Sequence, residues 1–400
     1  MEPFSYFFDL AAGCVSGAAG LAPFVHVNFL IGLLGSAGDP LSASVFIVSL
    51  GCSQFVFSLL PAVFFGLPSP SHSVSALPAQ GLALEGRGFL ALNTMLYSSA
   101  LAFAAALLLA PAVLLVFPLV FDSVRDLAGV LLAALVIGFF ASEKSMRAFL
   151  LGLTVFFLSG ALGFVVLSFS FVREPLLPLL SGLFGIPLLI VSFNAGGKLP
   201  GQRFEPPSLS FKSIASGVVL GAVSAFVPAA SPAVLSAAVF SSSAFSSIEF
   251  LSVSSAISAS KLVFDLATVF SIDKARSGMA AAVQSSIGSS QLNWLVLVAA
   301  AASFFAAVSF VSWTSPAAVR LYSRFSGRGV SSLVLFLACA GLLLVSGPYG
   351  LAICIVAAFI GLLPPLLGIR HAYAMGALFV PTLAYYSGLS PWLMSLLSGA

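Results

Sequence analysis

Between Phe250 and Ser271 the chain places four polar side chains, Ser254, Ser258, Lys261 and Asp265, at intervals of four, three and four residues. On a helix that spacing puts all four on one face. Lys261 and Asp265 fall near the middle of an otherwise apolar run. A charge at the centre of a membrane helix costs about 2.5–3.5 kcal/mol on insertion scales, so such residues face a partner, a cavity or a pathway. The chemistry on offer is an anion or coupling-ion site lined by the two serines and Lys261, with Asp265 as ion or proton carrier. The structural alternative is an ion pair that locks helices together or closes within its own helix.

Two glycine-led segments could expose backbone to a ligand. Gly13–Asn28 holds Gly13, Gly17 and Gly20, then Pro23, His26 and Asn28; Gly217–Pro232 holds Gly217, Gly221, Ser224, Pro228, Ser231 and Pro232. Proline removes a helix hydrogen bond and glycine permits close backbone approach, so both segments are candidates to break inside a bilayer. Broken ends present N–H groups at the positive end of a helix dipole, which suits a carboxylate. Close helix packing through small residues needs no ligand and explains the same glycines. His26 is a candidate proton carrier or a satisfied interior histidine. A third segment, Pro68–Ser75 with Ser71 and His72, followed by Glu85 and Arg87, offers hydroxyls if it folds back into the membrane, and is otherwise a plain loop.

The elements that must position these residues follow from composition. Of 400 residues 60% are hydrophobic and 7% charged, and the mean hydropathy is +1.16. Soluble domains carry about a quarter charged residues, so a soluble enzyme is excluded, as is a disordered chain. Long uncharged runs, Ser213–Ile248, Ser277–Val319 and Gly329–Ile369 among them, leave room for roughly 10–12 spans of about 20 residues. The expected fold is therefore all-α, a polytopic integral membrane protein; barrel strands would alternate polar and apolar residues, and these runs do not. The net charge of +3 is too small and scattered for nucleic acid. Cys14, Cys52, Cys339 and Cys354 lie in apolar segments without metal spacing and read as small hydrophobes. No metal or cofactor is expected. The acidic start, Met1-Glu2, predicts no cleaved leader. Enzyme motifs such as HExxH or a P-loop are missing.

Lys144 and Arg147, then Lys198, Arg203 and Lys212, then Lys274 and Arg276, then Arg320, Arg324 and Arg328 gather in four connections that the positive-inside rule places in the cytoplasm. Ser241–Glu249 and Ser346–Gly350 carry no Lys or Arg and are expected outside. Between Lys274 and Arg320 the chain must then cross an even number of times. Met279–Ile287 is too short for a full crossing and is expected to be a half-helix, turning at Gly288–Asn293.

The halves resemble one another. Ser53–Leu59 aligns with Ser260–Leu266, Gly13 and Gly17 with Gly217 and Gly221, and Arg87-Gly88 with Arg276-Ser277-Gly278. Gln54 and Ser58 then stand where the second half has Lys261 and Asp265. We read residues 1–195 as a first transmembrane repeat, 196–212 as a basic cytoplasmic linker and 213–400 as a second repeat, the pattern of secondary transporters.

On these residues the chain resembles the TctA family, the large permease subunit of tripartite tricarboxylate transporters, most of all its shorter archaeal members. The family's glycine-rich signature resembles Gly13–Pro23 followed by His26-Val-Asn28, and its second copy Gly217–Pro228. The family's serine/proline loop and Gly-Arg turn resemble Pro68–His72 and Gly86-Arg87-Gly88. Gly182–Pro187 is also similar. The family's Pro-Gly is here Pro23-Phe24 and Pro228-Ala229. The resemblance implies a multi-pass permease of the cell membrane. It would import a small carboxylate or similar anionic solute, driven by a sodium or proton gradient. It also implies a small membrane subunit and an extracytoplasmic solute-binding protein as partners. The alternative is a non-transporting membrane scaffold or lipid-handling protein.

Overall fold

The computed structural model describes the chain except residues 1–2, 22–29, 32–38, 67–71, 73, 142, 144, 170–171, 173–174, 196–198, 228–229, 242–244, 289–292, 325–326 and 399–400. The described residues are predominantly helical, with no strand among them. In chain order the helices are α1 (Pro3–Gly17), α2 (Pro40–Phe57), α3 (Leu59–Phe65), α4 (Ala76–Leu84), α5 (Gly88–Ala141), α6 (Met146–Ser168), α7 (Leu176–Leu180) and α8 (Ile186–Ala195). They continue as α9 (Phe211–Phe226), α10 (Pro232–Ser241), α11 (Ser247–Ile272), α12 (Gly278–Ile287), α13 (Trp294–Tyr322), α14 (Gly327–Leu367), α15 (Gly376–Tyr386) and α16 (Ser390–Ser398). Six stretches among the described residues are long and apolar enough to cross a membrane: Pro40–Phe65, Gly88–Phe121, Met146–Ser168, Ser247–Ile272, Trp294–Tyr322 and Ser332–Leu367. Shorter apolar helices include Gly129–Ala141 and Phe211–Phe226. The expected all-α polytopic membrane fold is what the chain adopts. Gly347, at φ 67°, kinks α14 inside the Ser346–Gly350 segment expected to turn.

The helices form two compact units, each drawn from both halves of the sequence. The first comprises Met1–Asp122, Gly197–Ser236 and Phe245–Ser326; the second comprises Ser123–Gly196, Ala237–Ala244 and Gly327–Ala400.

In the first unit α1 packs on α2, and α9 on α11, through one shared geometry. Ser53 Oγ donates to Ser49 O at 2.6 Å and reaches Gly13 O at 3.5 Å. Ser260 Oγ donates to Ala256 O at 2.7 Å and reaches Gly217 O at 3.4 Å. A methyl group on Gly17 would overlap Ser53 Oγ, and one on Gly221 would overlap Ser260 Oγ. Removing both side chains lets the helix backbones come close enough for these contacts. The aligned residues of the two halves thus do the same job twice. Helix α13 lies against α2, and the Phe103 ring of α5 stacks on Phe304 of α13 at 4.0 Å.

An extended strap from Leu199 to Ser210 closes over the start of α5. Arg203 N donates to Gly86 O at 2.8 Å, Gly88 N to Gln202 Oε1 at 2.8 Å, and Ser208 N to Thr94 Oγ1 at 2.9 Å. Arg87 pairs with Glu205 at 3.2 Å, and that hydrogen bond, with the charge behind it, raises the Arg87 guanidinium above its ordinary value.

In the second unit a π-turn, Ser181–Gly185, joins α7 to α8. Pro187 has no N–H to give Leu183 O four residues back, and His371 Nε2 takes that carbonyl at 2.7 Å while its ring stacks on Phe184. Tyr373 lies in the groove opened by Gly152 of α6 and donates to Glu143 Oε2 at 2.6 Å. Arg370 approaches the same oxygen at 3.5 Å. Burial first, then the bond to Glu143, holds the Tyr373 phenol well above its ordinary range.

Candidate functional site

Helix α11 begins with a capping box, in which Ser246 and Glu249 satisfy one another's backbone N–H groups. It runs unbroken to Ile272 and ends where Asp273 takes a left-handed φ of 54°. Ser254, Ser258, Lys261 and Asp265 are all buried along it, Lys261 at 9% exposure and Asp265 at 1%. Ser258 Oγ donates to Ser254 O at 3.2 Å.

Lys261 Nζ donates to both carboxylate oxygens of Asp265, one turn further on. It also donates to the carbonyl of Arg276 at 3.3 Å. Two opposite charges so placed neutralise one another inside a buried helix, which is how the helix tolerates them in apolar surroundings. The chain folds back to supply the third contact. Gln284 of α12 donates to Asp273 Oδ1 at 2.5 Å, and Ser277 caps α12 by accepting Ala280 N at 3.3 Å, which holds the 273–277 turn under Lys261. Met279 fills the notch left by Gly51 of α2. Helix α12 is ten residues long, too short for a full crossing, as its sequence length predicts.

Arg276 ties the cluster to the end of α9, its Nη2 donating to Phe226 O at 3.4 Å. By charge placement Arg276 reads mainly as a cytoplasmic anchor. Its backbone carbonyl accepts from Lys261 and its guanidinium donates to Phe226 O, and the sequence signal for this was the alignment of Arg276-Ser277-Gly278 with Arg87-Gly88. On α9, Ser224 is buried and its hydroxyl has no hydrogen-bond partner; Ser236 on α10 is in the same condition. Ser231 caps α10 by accepting Val234 N at 3.3 Å.

Lys261, Asp265 and Arg276 therefore meet in one cluster, with Ser258 and Ser254 one and two turns up the same helix. Gly17 and Gly20 lie against Ser53 and Gln54 of α2, and Gly221 against Ser260 and Ile257 of α11, so the space their side chains leave is filled by the neighbouring helix. His26, Asn28 and Ser71 lie outside the described residues, as do Pro23 and Pro228.

Comparison with known proteins decides the family. The sequence profile of the tripartite tricarboxylate transporter TctA family matches residues 5–376. This chain belongs to the TctA family. The match covers both glycine signatures, the strap and the Lys261 cluster, so the TctA assignment embraces the whole site. An uncharacterized protein of Methanocaldococcus jannaschii, MJ1079, is 27% identical over 399 residues, covering 94% of this chain and 98% of that relative. No solved structure matches the chain. TctA is a transporter family, and this chain is a multi-pass membrane protein with six stretches among its described residues long and apolar enough to cross a membrane.

Proposed function

We propose that the chain is a secondary transporter of the cell membrane, without enzymatic activity, which moves a small carboxylate or similar anionic solute at the expense of an ion gradient. The observation that carries this reading is the buried Lys261–Asp265 pair, tethered to Arg276 O, in a chain of a tricarboxylate transporter family. Charges are scarce in this sequence, and most of the other Lys and Arg residues lie in or beside connections where topology explains them. A charged pair kept at the centre of a span, where the first half manages with Gln54 and Ser58, has a task.

In this reading the cationic Lys261 faces the solute carboxylate, and Ser254 and Ser258 line the approach. Asp265 releases Lys261 to the anion and itself takes the coupling cation, sodium or a proton. Ser224 adds an unengaged hydroxyl from the neighbouring helix. His26, Asn28 and Ser71 are proposed as solute contacts from the glycine-led segment and the serine/proline loop, and Gly17, Gly20, Gly221 and Ser231 as the residues that shape them. Residues 1–195 and 213–400 are proposed to descend from one duplicated unit, with 196–212 as linker. A small membrane subunit and an extracytoplasmic binding protein are the partners the family description implies.

A helix-gluing scaffold remains the competing reading, because Lys261 and Asp265 satisfy one another within one helix. A thermal-shift series of purified protein with di- and tricarboxylates, with and without sodium, separates the two. A carrier is stabilised by RT ln(1 + [L]/Kd), about 2.7 kcal/mol at a hundredfold excess over Kd. A scaffold shows no shift with any of the anions.

A further inference from the structure

The first half of the chain holds a buried titratable group that has no part in the Lys261 cluster. His72, in the connection between α3 and α4, is 0% exposed. Its Nε2 lies 3.4 Å from Phe55 O, and its ring is tilted against the Phe55 ring at 4.8 Å. Ser58 Oγ donates to the same Phe55 carbonyl at 2.7 Å. A carbonyl only accepts, so Nε2 carries the hydrogen and Nδ1 presents a lone pair. That Nδ1 is buried with no hydrogen-bond partner. Burial, opposed only by the Phe55 carbonyl, pushes the imidazole down to about 4, so it stands neutral here.

Its position carries the rest. The matching Gly13–Ser53 and Gly217–Ser260 contacts set α2 in the same register as α11, and in that register Gln54 and Ser58 occupy the stations of Lys261 and Asp265. Phe55, whose carbonyl and ring meet His72, and Ser58, which donates to that carbonyl, belong to that same stretch of chain. Where the second half has a charged pair, the first half has a sealed imidazole with one open acceptor. The other titratable or charged groups on the surrounding elements include Cys52 on α2, Glu85 at the end of α4, Tyr97 on α5, Glu249, Lys261 and Asp265 on α11, and Arg320 and Tyr322 at the end of α13. None of them is hydrogen-bonded to the imidazole.

We propose that His72 is a proton site of the transport cycle, its Nδ1 taking up one proton as the anionic solute binds and returning it to water when the solute leaves. This rests on the transporter reading and adds a carrier to it. The proton comes from solvent or buffer, the Nδ1–H bond forms from the ring lone pair, and no electrons change hands. Without an anion the buried site rejects the charge. The carboxylate supplies the opposite charge that lets the imidazolium persist.

Calorimetry of citrate and succinate binding to the purified protein near pH 7, in two buffers of different ionisation enthalpy, counts protons taken up per anion bound. Wild type is expected to take up about one proton more than His72→Gln or His72→Phe, the latter keeping a ring against Phe55 but no titratable nitrogen. Equal uptake in wild type and variants overturns the His72 assignment and leaves the transporter reading standing. Wild-type binding that is independent of the buffer overturns it as well, whatever the folding of the variants. Failure of the wild type to bind either anion removes the transporter reading and this proposal together.

Discussion

Single replacements of Lys261 or Asp265 should behave differently from a double one. Lys261→Ala leaves a 1%-exposed carboxylate without its ammonium, and Asp265→Ala leaves the ammonium alone. Breaking such a pair typically costs about 3–5 kcal/mol, whereas replacing both partners with apolar residues is neutral or stabilising. Chemical denaturation should therefore rank the double variant Lys261→Met/Asp265→Leu above either single variant and near wild type. Stability in all three indistinguishable from wild type would contradict the buried pairing. His72 gives a second test through pH. Its folded value lies below the unfolded value of about 6.5, so its contribution is present above that pH and is lost as pH falls towards about 4. Lowering the pH from 7 to 4.5 should depress the melting temperature of wild type by a few degrees more than that of His72→Phe. The charged pair was visible in the sequence because charge is rare there. His72 was not, since a histidine in a serine/proline segment reads as a loop, and burial depends on helices remote in sequence.

Among the elements, the glycine-to-serine contacts are the most exacting. Gly17→Ala or Gly221→Ala drives a methyl group into Ser53 or Ser260, and overpacking of that kind costs about 1–3 kcal/mol. Adding Ser53→Ala or Ser260→Ala should recover part of the loss, measurable as a double-mutant coupling of about 0.5 kcal/mol or more; strict additivity would show that the contact is not made. In the second unit His371 reaches the Leu183 carbonyl, four residues before Pro187. The correspondence of Gly13, Gly17 and Ser53 with Gly217, Gly221 and Ser260 was legible in the spacing, but which helices those residues bring together was not. The strap of Gln202, Arg203 and Glu205 over Gly86–Gly88 was not, because extended polar backbone has no periodicity and its partners lie more than a hundred residues away.

For the whole molecule, composition sufficed for a polytopic helical membrane protein, and the family profile supplies the permease class. The two compact units, each interleaving early and late segments, could not be read from a sequence in which duplication suggests halves. Orientation is testable directly. Ser246, at the start of α11, is expected outside, and Ser323, after Arg320, inside. In a variant whose four native cysteines are replaced, Ser246→Cys should label with an impermeant maleimide on intact cells, and Ser323→Cys only after lysis. Labelling of both from outside would break the proposed topology.

Carriage of an anion by this protein is expected to follow a path that needs Lys261 and Asp265. Uptake of radiolabelled citrate into proteoliposomes, under an inward sodium or proton gradient, measures it most directly. Wild type should accumulate citrate and lose accumulation when the gradient is collapsed. The charge-free but stable Lys261→Met/Asp265→Leu variant should be reduced at least about tenfold, a loss of roughly 1.4 kcal/mol or more in the transport step. Accumulation by that variant equal to wild type would contradict the site, and no accumulation of any carboxylate by wild type, alone or with the proposed partner subunits, would contradict the function.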